Sequence, residues 1–301
     1  MSETKLCLGT AQFGLDYGIN NPNGKPQEHQ SFAIIDEALK QGITVIDTAA
    51  AYGTAEELLG EYGIATHQVQ VISKLKPNMI TDNCQDPEVI LEEQIQASLA
   101  RTGLTALDGY LLHSPENFYN ERVINGLRQC KKKGLIRHFG VSIYDTEHAL
   151  DVVRSGLVDY IQIPYNVLDQ RLDQTDFFAL AKEHEVMVFA RSAFLQGLIL
   201  MSADKIPDHL AMAKEYLREF DRIIAKYGFT RIQAAFSFVY THPGINYLVF
   251  GVDNLEQLQE YIALSRCQFD FADCRMELSN SFRNVSKNII CPNLWKKEGA
   301  S

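Results

Sequence analysis

"TVIDTAAAY", residues 44–52, carries an apolar run up to Asp47 and then a stretch of small residues up to Tyr52. Two further runs follow the same plan. "VQVISKLKP" (69–77) ends at Lys74, and "LDGYLLHSPEN" (107–117) ends at His113. Each run is short and rich in Val, Ile and Leu, as strands buried on both faces are. Each carries a chemically capable residue at or just past its carboxyl end. Strand ends that converge on one spot in this way are the geometry of a parallel barrel, where chemistry collects at the carboxyl face.

Outward from these three runs, strand and helix patterns alternate along the whole chain. Strands are expected near 5–9, 43–47, 69–74, 107–112, 136–141, 159–163, 186–190 and 246–250. Helical patterns are expected near 30–41, 54–62, 88–102, 119–132, 146–154, 174–184, 212–227 and 254–264. Pro87 suits a first helical position, and Thr146 can cap the helix that begins there. Gly42, Gly103, Gly134 and Gly156 follow helical runs, as C-terminal glycines do. Eight strand–helix units in 301 residues predict a (β/α)8 barrel, one domain over 1–301, with a tail segment at 268–301. Long segments at 15–29 and 196–214 follow strands one and seven, on the side where a pocket would form.

Composition narrows the function classes. The chain is 46% hydrophobic and 22% charged, with a formal charge of −10. That balance suits a globular protein and argues against a nucleic-acid surface, which is normally basic. No apolar stretch approaches the ~20 residues of a membrane span, and the N-terminal residues lack the pattern of a signal peptide. The six cysteines form no C-x-x-C pair and read as reduced thiols of a cytoplasmic protein. No metal site is expected, since no two histidines share a helix face with a carboxylate at ligand spacing. Neither G-x-G-x-x-G nor a P-loop occurs.

The four strand-end residues make chemical sense together. A phenol titrates near ~10 when unperturbed. An ammonium beside it favours the phenolate and lowers that value. A carboxylate holds the ammonium, and a His hydrogen-bonds a substrate oxygen. Lys76 is a rival for the role of Lys74. Asp47, Tyr52, Lys74 and His113, in that order, resemble the catalytic tetrad of the aldo-keto reductase superfamily. Further fragments carry the resemblance: "LCLGTAQFG" (6–14), "GVS" (140–142), "QIPYN" (162–166), "ARSAFLQGLI" (190–199) and "VFGVDNLEQLQE" (249–260).

The resemblance implies an oxidoreductase that reduces an aldehyde or ketone, or runs the reverse, with a nicotinamide cofactor extended across the barrel mouth. It assigns Tyr52 as proton donor, Lys74 as the group that tunes it, Asp47 as the partner of Lys74, and His113 as the group that orients the carbonyl. It places cofactor contacts at Gly9, Thr10, Asp47, Ser142, Gln162, Arg191, Ser192, Phe194, Gln196, Gly197, Gly251, Asn254 and Gln257. Ser142 and Gln162 would bond the carboxamide. Ile143 stands where relatives often have Asn, and Arg191 where many stack a Tyr on the nicotinamide. Substrate contacts are expected from Phe13, Tyr17, Tyr52, His113, Tyr144 and Tyr165, with Asn166 nearby.

NADP(H) is the cofactor that the resemblance implies. The segment after the last strand holds no Lys or Arg for a 2′-phosphate, and Asp253 would repel one, so NAD(H) is a serious alternative. The small-molecule partner is a carbonyl compound or alcohol, and "GTAQFGLDYGI" is similar to bacterial members of polysaccharide and sugar metabolism. Two rival readings exist. One is a cofactor-sensing regulatory or adaptor protein on the same fold with little turnover. The other is a barrel glycoside hydrolase, which needs two flanking carboxyls; Glu56 and Glu57 are the nearest acids after Tyr52.

Overall fold

The computed structural model describes residues 5–21, 24–81 and 83–295. Eight parallel strands close into a barrel in sequence order: β1 Lys5–Gly9, β2 Val45–Asp47, β3 Gln70–Lys74, β4 Leu107–Leu112, β5 Ile136–Ser142, β6 Tyr160–Pro164, β7 Met187–Arg191 and β8 Tyr247–Phe250. β1 pairs with both β2 and β8, which closes the ring.

The strand alternation decides which residues reach the mouth. Cys7, Val45, Ile72, Leu111, Tyr160, Phe189 and Val249 form one packed cluster, a ring contributed by seven of the eight strands. Side chains two residues apart on a strand face the same way. Two residues beyond that ring lie Gly9, Asp47, Lys74, His113, Gln162, Arg191 and Gly251. The site is thus the next layer above an apolar plug, and the period of two puts it there. Register completes the ring, with Ser142 beside Gln162 and Pro164 beside Arg191.

The outer layer is helical. The helices Glu28–Lys40, Ala55–Tyr62, Pro87–Thr102, Glu121–Lys132, Thr146–Arg154, Phe177–Glu183, Ala213–Lys226 and Leu255–Arg266 match the sequence reading in order. Gly42, Gly103, Gly134 and Gly156 have φ of 85°, 71°, 75° and 62°, the left-handed form expected after a helix. Thr146 is corrected from cap to first helical residue. The cap is Asp145, whose carboxylate accepts the His148 N–H.

A ninth helix of this layer, Arg231–Tyr240, lies between β7 and β8 where no element was expected. Its positions 234–239 are all buried, so no amphipathic stripe marks it. The readable signal was its capping box, Thr230 with Gln233. The tail folds as the helix Ala272–Ser281 and a short turn of helix at Lys287–Ile290. Residues 296–301 of the expected tail segment lie outside the described residues.

One backbone approach fixes the loop that bears Tyr52. A Cβ on Gly14 would lie 1.7 Å from the Tyr52 carbonyl oxygen, and one on Gly53 would lie 2.2 Å from the Gly14 carbonyl oxygen. Gly53 also has φ of 56°, which a side chain resists. The β1 and β2 loops therefore interlock backbone to backbone, with no side chain to yield. Gly14→Ala is expected to lower stability by about 1–3 kcal/mol, the range for forced overpacking. Denaturant unfolding checks this, and an unchanged midpoint would mean that the two loops part freely.

Candidate active site

Lys74 is the pivot of the mouth. Its side chain is fully buried. An ammonium at such a position requires a counter-charge and hydrogen-bond acceptors. Nζ donates to both Asp47 oxygens, Oδ1 at 2.7 Å and Oδ2 at 2.8 Å, and to the Thr48 carbonyl at 2.9 Å. It also reaches the Tyr52 hydroxyl at 3.3 Å. Lys76 is exposed, and Lys74 is the one of the two that meets Asp47 and Tyr52. Asp47 is held in turn. The Gln162 amide donates to Oδ1 at 2.7 Å, and the Ser142 hydroxyl donates to Gln162 Oε1 at 3.2 Å. Thr10 Oγ1 donates to the Asp47 carbonyl at 3.1 Å. Strands β1, β2, β3, β5 and β6 thus meet in one buried polar network.

Burial pushes the Tyr52 phenol well above its usual range, and the Asp47 carboxylate adds to the rise. The Arg191 guanidinium acts the other way. The net direction is upward even with Lys74 Nζ 3.3 Å from the hydroxyl and 4.8 Å from the ring centroid. Tyr52 is therefore a protonated phenol at neutral pH. The His113 ring meets Tyr52 edge-on, with centroids 6.2 Å apart. Its imidazole is pushed down to about 3 by burial, and by the charges of Lys74 and Arg191. Nδ1 is buried without a hydrogen-bond partner.

Two cavities open from Tyr52. One, of about 160 Å³, runs toward β8. Gly9, Ser192, Phe194, Gln196, Gly197, Gly251 and Gln257 line it, as the sequence reading expected of cofactor contacts. Gln12, Asn20, Asn21, Asp253 and Tyr261 line it as well; of these, the sequence reading weighed only Asp253. The segment after β7 bends tightly around it. Ser192, Leu195 and Gln196 have φ of 64°, 49° and 53°, and Gly197 has 92°. Non-glycine residues held in this region each cost about 1–3 kcal/mol, and such strain clusters at ligand sites. Asn166 steadies the bend by donating to the Ser192 carbonyl at 3.0 Å. Tyr17, Gly18, Asn20 and Asn21 roof the same cavity. Ile19 N–H donates to the Gln196 carbonyl at 3.0 Å, and Asn21 Nδ2 to Asp253 Oδ1 at 3.1 Å.

The second cavity, of about 290 Å³, is bounded by Tyr52, His113, Tyr17 and Tyr144. Arg171 and Arg191 supply charge, and Ile290 to Asn293 of the tail form its far wall. Arg191 faces both cavities. Its guanidinium lies 4.6 Å over the Tyr144 ring and donates to the Ile143 carbonyl at 2.9 Å and Ser192 Oγ at 3.2 Å. No carboxylate pairs with it among the described residues.

Several expected contacts stand elsewhere. Phe13 and Tyr165 are corrected from pocket to core. Phe13 is fully buried beneath the mouth. Tyr165 turns outward between barrel and helices, stacks on Phe238 and donates to Asp173 at 2.8 Å. Ser142, Gln162 and Thr10 line neither cavity and instead brace Asp47. Asn254 is the cap of Leu255–Arg266, its side chain accepting the Gln257 N–H. Glu56 is buried and bonds Ser73 at 2.5 Å and Arg101 at 2.7 Å, away from both cavities. Asp47 and Asp253 are the only carboxylates on the walls of these two cavities among the described residues, and both Asp47 oxygens are taken up by Lys74, which leaves a glycoside hydrolase without its second acid.

Comparison with known proteins agrees with this architecture. The sequence profile of the Aldo/keto reductase family matches residues 5–276. The NADH-specific methylglyoxal reductase of Escherichia coli is 24% identical over 308 residues, covering 91% of this chain and 93% of that protein. An aldo-keto reductase of Bacillus subtilis is 27% identical, covering 89% and 90%. Among solved structures, the holo form of an aldo-keto reductase from Bacillus halodurans superposes with a TM-score of 0.75 at 21% identity, over 95% of this chain and 94% of that one. The barrel, the site layer above its plug and the profile match together place this chain in the aldo/keto reductase family, among oxidoreductases of carbonyl compounds.

Proposed function

We propose that the chain reduces a small aldehyde or ketone to an alcohol with a nicotinamide cofactor, Tyr52 serving as proton donor. The observation that carries this reading is the Lys74–Asp47–Tyr52 cluster standing where the two cavities join. The cavity lined by Gly9, Gly197 and Gly251 suits an extended dinucleotide, with Gln12 and Asn20 packed closely on two of these glycines, and the bent 192–197 segment suits a diphosphate. The Asp253 and Asn21 end fits an adenosine ribose. When bound, the cofactor supplies the hydride. Tyr52 gives its proton to the carbonyl oxygen as charge develops there. Lys74 stabilises the phenolate left behind, and Asp47 keeps Lys74 in place. His113, neutral at neutral pH, donates one N–H to the same oxygen from the open side of its ring. Such placement works by pre-organised hydrogen bonding to the developing charge.

NAD(H) is the better fit of the two cofactors. Asp253 lines the cavity with Oδ1 turned to Asn21 and its N–H bonded to Gln257 Oε1 at 2.8 Å. A carboxylate there accepts hydrogen bonds from ribose hydroxyls and repels a 2′-phosphate. The methylglyoxal reductase relative is named as NADH-specific, which supports the same choice. Six free cysteines suit a reducing compartment, which supports a cytoplasmic location.

Tyr52→Phe is expected to keep fold and cofactor affinity while turnover falls ~10²–10⁴-fold, the usual worth of general acid catalysis. Steady-state rates with an aldehyde panel, beside a fluorescence titration with NADH, test this. Turnover within a few-fold of the unaltered protein would remove Tyr52 from the chemistry. Cofactor binding with no turnover by the unaltered protein would favour the sensing reading instead.

The NADH-to-NADPH affinity ratio is expected to favour NADH. Asp253→Asn removes the repelling charge and should narrow the ratio by about tenfold, or ~1.4 kcal/mol. A ratio that does not move would place the adenosine ribose away from Asp253.

The depressed His113 value also makes a stability prediction. Unfolded, this imidazole binds a proton near pH ~6.5; folded, it stays neutral down to about 3. The unfolded state therefore binds more protons inside that window. The His113 contribution is complete above pH ~6.5 and is lost as pH falls toward 3. Chemical denaturation at pH 7 and pH 5 should show His113→Gln losing less stability on acidification than the unaltered protein. Equal losses would mean that His113 titrates normally in the fold.

A further inference from the structure

The charges around the second cavity leave one cation without a counter-charge. Lys74 is matched by Asp47. Arg171 is matched by Asp169, which it grips with two hydrogen bonds at 2.7 and 2.8 Å. His113, Tyr17 and Tyr52 stay neutral. No Asp or Glu lines this cavity among the described residues. Arg191 alone has no carboxylate partner among them. A guanidinium has five N–H donors; two of these go to Ile143 and Ser192. Those two bonds and the Tyr144 ring 4.6 Å away hold the guanidinium at the cavity wall with donors of its fork left over. In a chain of net charge −10, this is a local positive field behind aromatic walls, beside the proton donor.

From this we infer that the carbonyl substrate carries a carboxylate, and that Arg191 binds that group while Tyr52 and His113 hold the carbonyl oxygen. The inference rests on the reductase reading above and names its substrate class. A single carboxylate matches the single free charge, and its planar pair of oxygens suits the fork. A phosphate carries about −1.5 to −2 near neutral pH, more than one guanidinium compensates in a partly dry pocket. The carboxylate is not consumed; hydride goes to the carbonyl carbon and the Tyr52 proton to its oxygen. The cavity of about 290 Å³ suits a small acid, and the tail wall from Ile290 to Asn293 limits its length.

Matched pairs of acid and ester test this, with kcat/KM as the readout. Para-carboxybenzaldehyde is compared with its methyl ester, and succinic semialdehyde with its methyl ester. The aromatic ester is the more electrophilic aldehyde, so an excess for the acid cannot come from intrinsic reactivity. The acids are expected to lead by about 10- to 100-fold, the worth of a charge-assisted hydrogen bond. Arg191→Met should bring the acid-to-ester ratio close to one, and Arg191→Lys should restore part of it. NADH affinity, followed by fluorescence, should change much less than this ratio. Esters turned over as well as acids would overturn the inference and leave the reductase reading standing. Failure of every aldehyde would instead sink that reading, and this inference with it. A ratio unchanged in Arg191→Met, or a loss that falls on NADH binding alone, would also overturn it. Glyceraldehyde 3-phosphate preferred over both acids would overturn the choice of carboxylate.

Discussion

A fully buried ammonium is the constraint on which the mouth of this barrel depends. Lys74 sits one layer above an apolar plug, where an unmatched charge would cost several kcal/mol. Asp47 meets that demand with both oxygens. Once Asp47 is committed, its own position must be held; Gln162 holds its carboxylate from β6, and Thr10, just past β1, its backbone carbonyl. The polar network is thus one unit, and a change in any member is felt at the others. It also explains why Ser142 and Gln162, residues with the chemistry to meet a cofactor amide, stand beneath the cavity floor in this conformation.

The same network sets the protonation of the reactive groups. Burial dominates at Tyr52, the Asp47 carboxylate adds to it, and the phenol keeps its proton. His113 loses its own for the same reason, helped by two nearby cations. In the proposed reduction, a neutral acid and a neutral hydrogen-bond donor side by side suit a carbonyl oxygen that gains charge. Nothing in it needs to move a full charge before the reaction begins.

Strain and glycine shape the rest of the mouth. Left-handed residues from Ser192 to Gly197 bend the chain around one cavity, and Asn166 holds the bend. Gly14 and Gly53 let the β1 and β2 loops interlock and so fix the backbone under Tyr52. The roof residues 17–21 reach the β7 and β8 loops through Ile19–Gln196 and Asn21–Asp253 hydrogen bonds. The roof residues are partly exposed, whereas the floor is buried and densely bonded. Floor and roof therefore differ in local stability, the floor being the rigid part.

The sequence alone determined the barrel, its strand order and the four residues at its centre. Short apolar strands with a period of two leave little choice of where Asp47, Lys74 and His113 point. The unexpected helix Arg231–Tyr240 escaped because it is buried almost all round and so has no amphipathic stripe. Other features depended on contacts between distant segments. Whether Lys74 or Lys76 is buried, whether Tyr165 faces the pocket or the core, and what Glu56 bonds are set by packing across the barrel. Local spacing carries no trace of these outcomes. The sign of the effect on the Tyr52 phenol likewise needed the tertiary structure. A carboxylate that neutralises the ammonium from both oxygens is a matter of distance, and the chain fixes that distance only when its first three strands are paired.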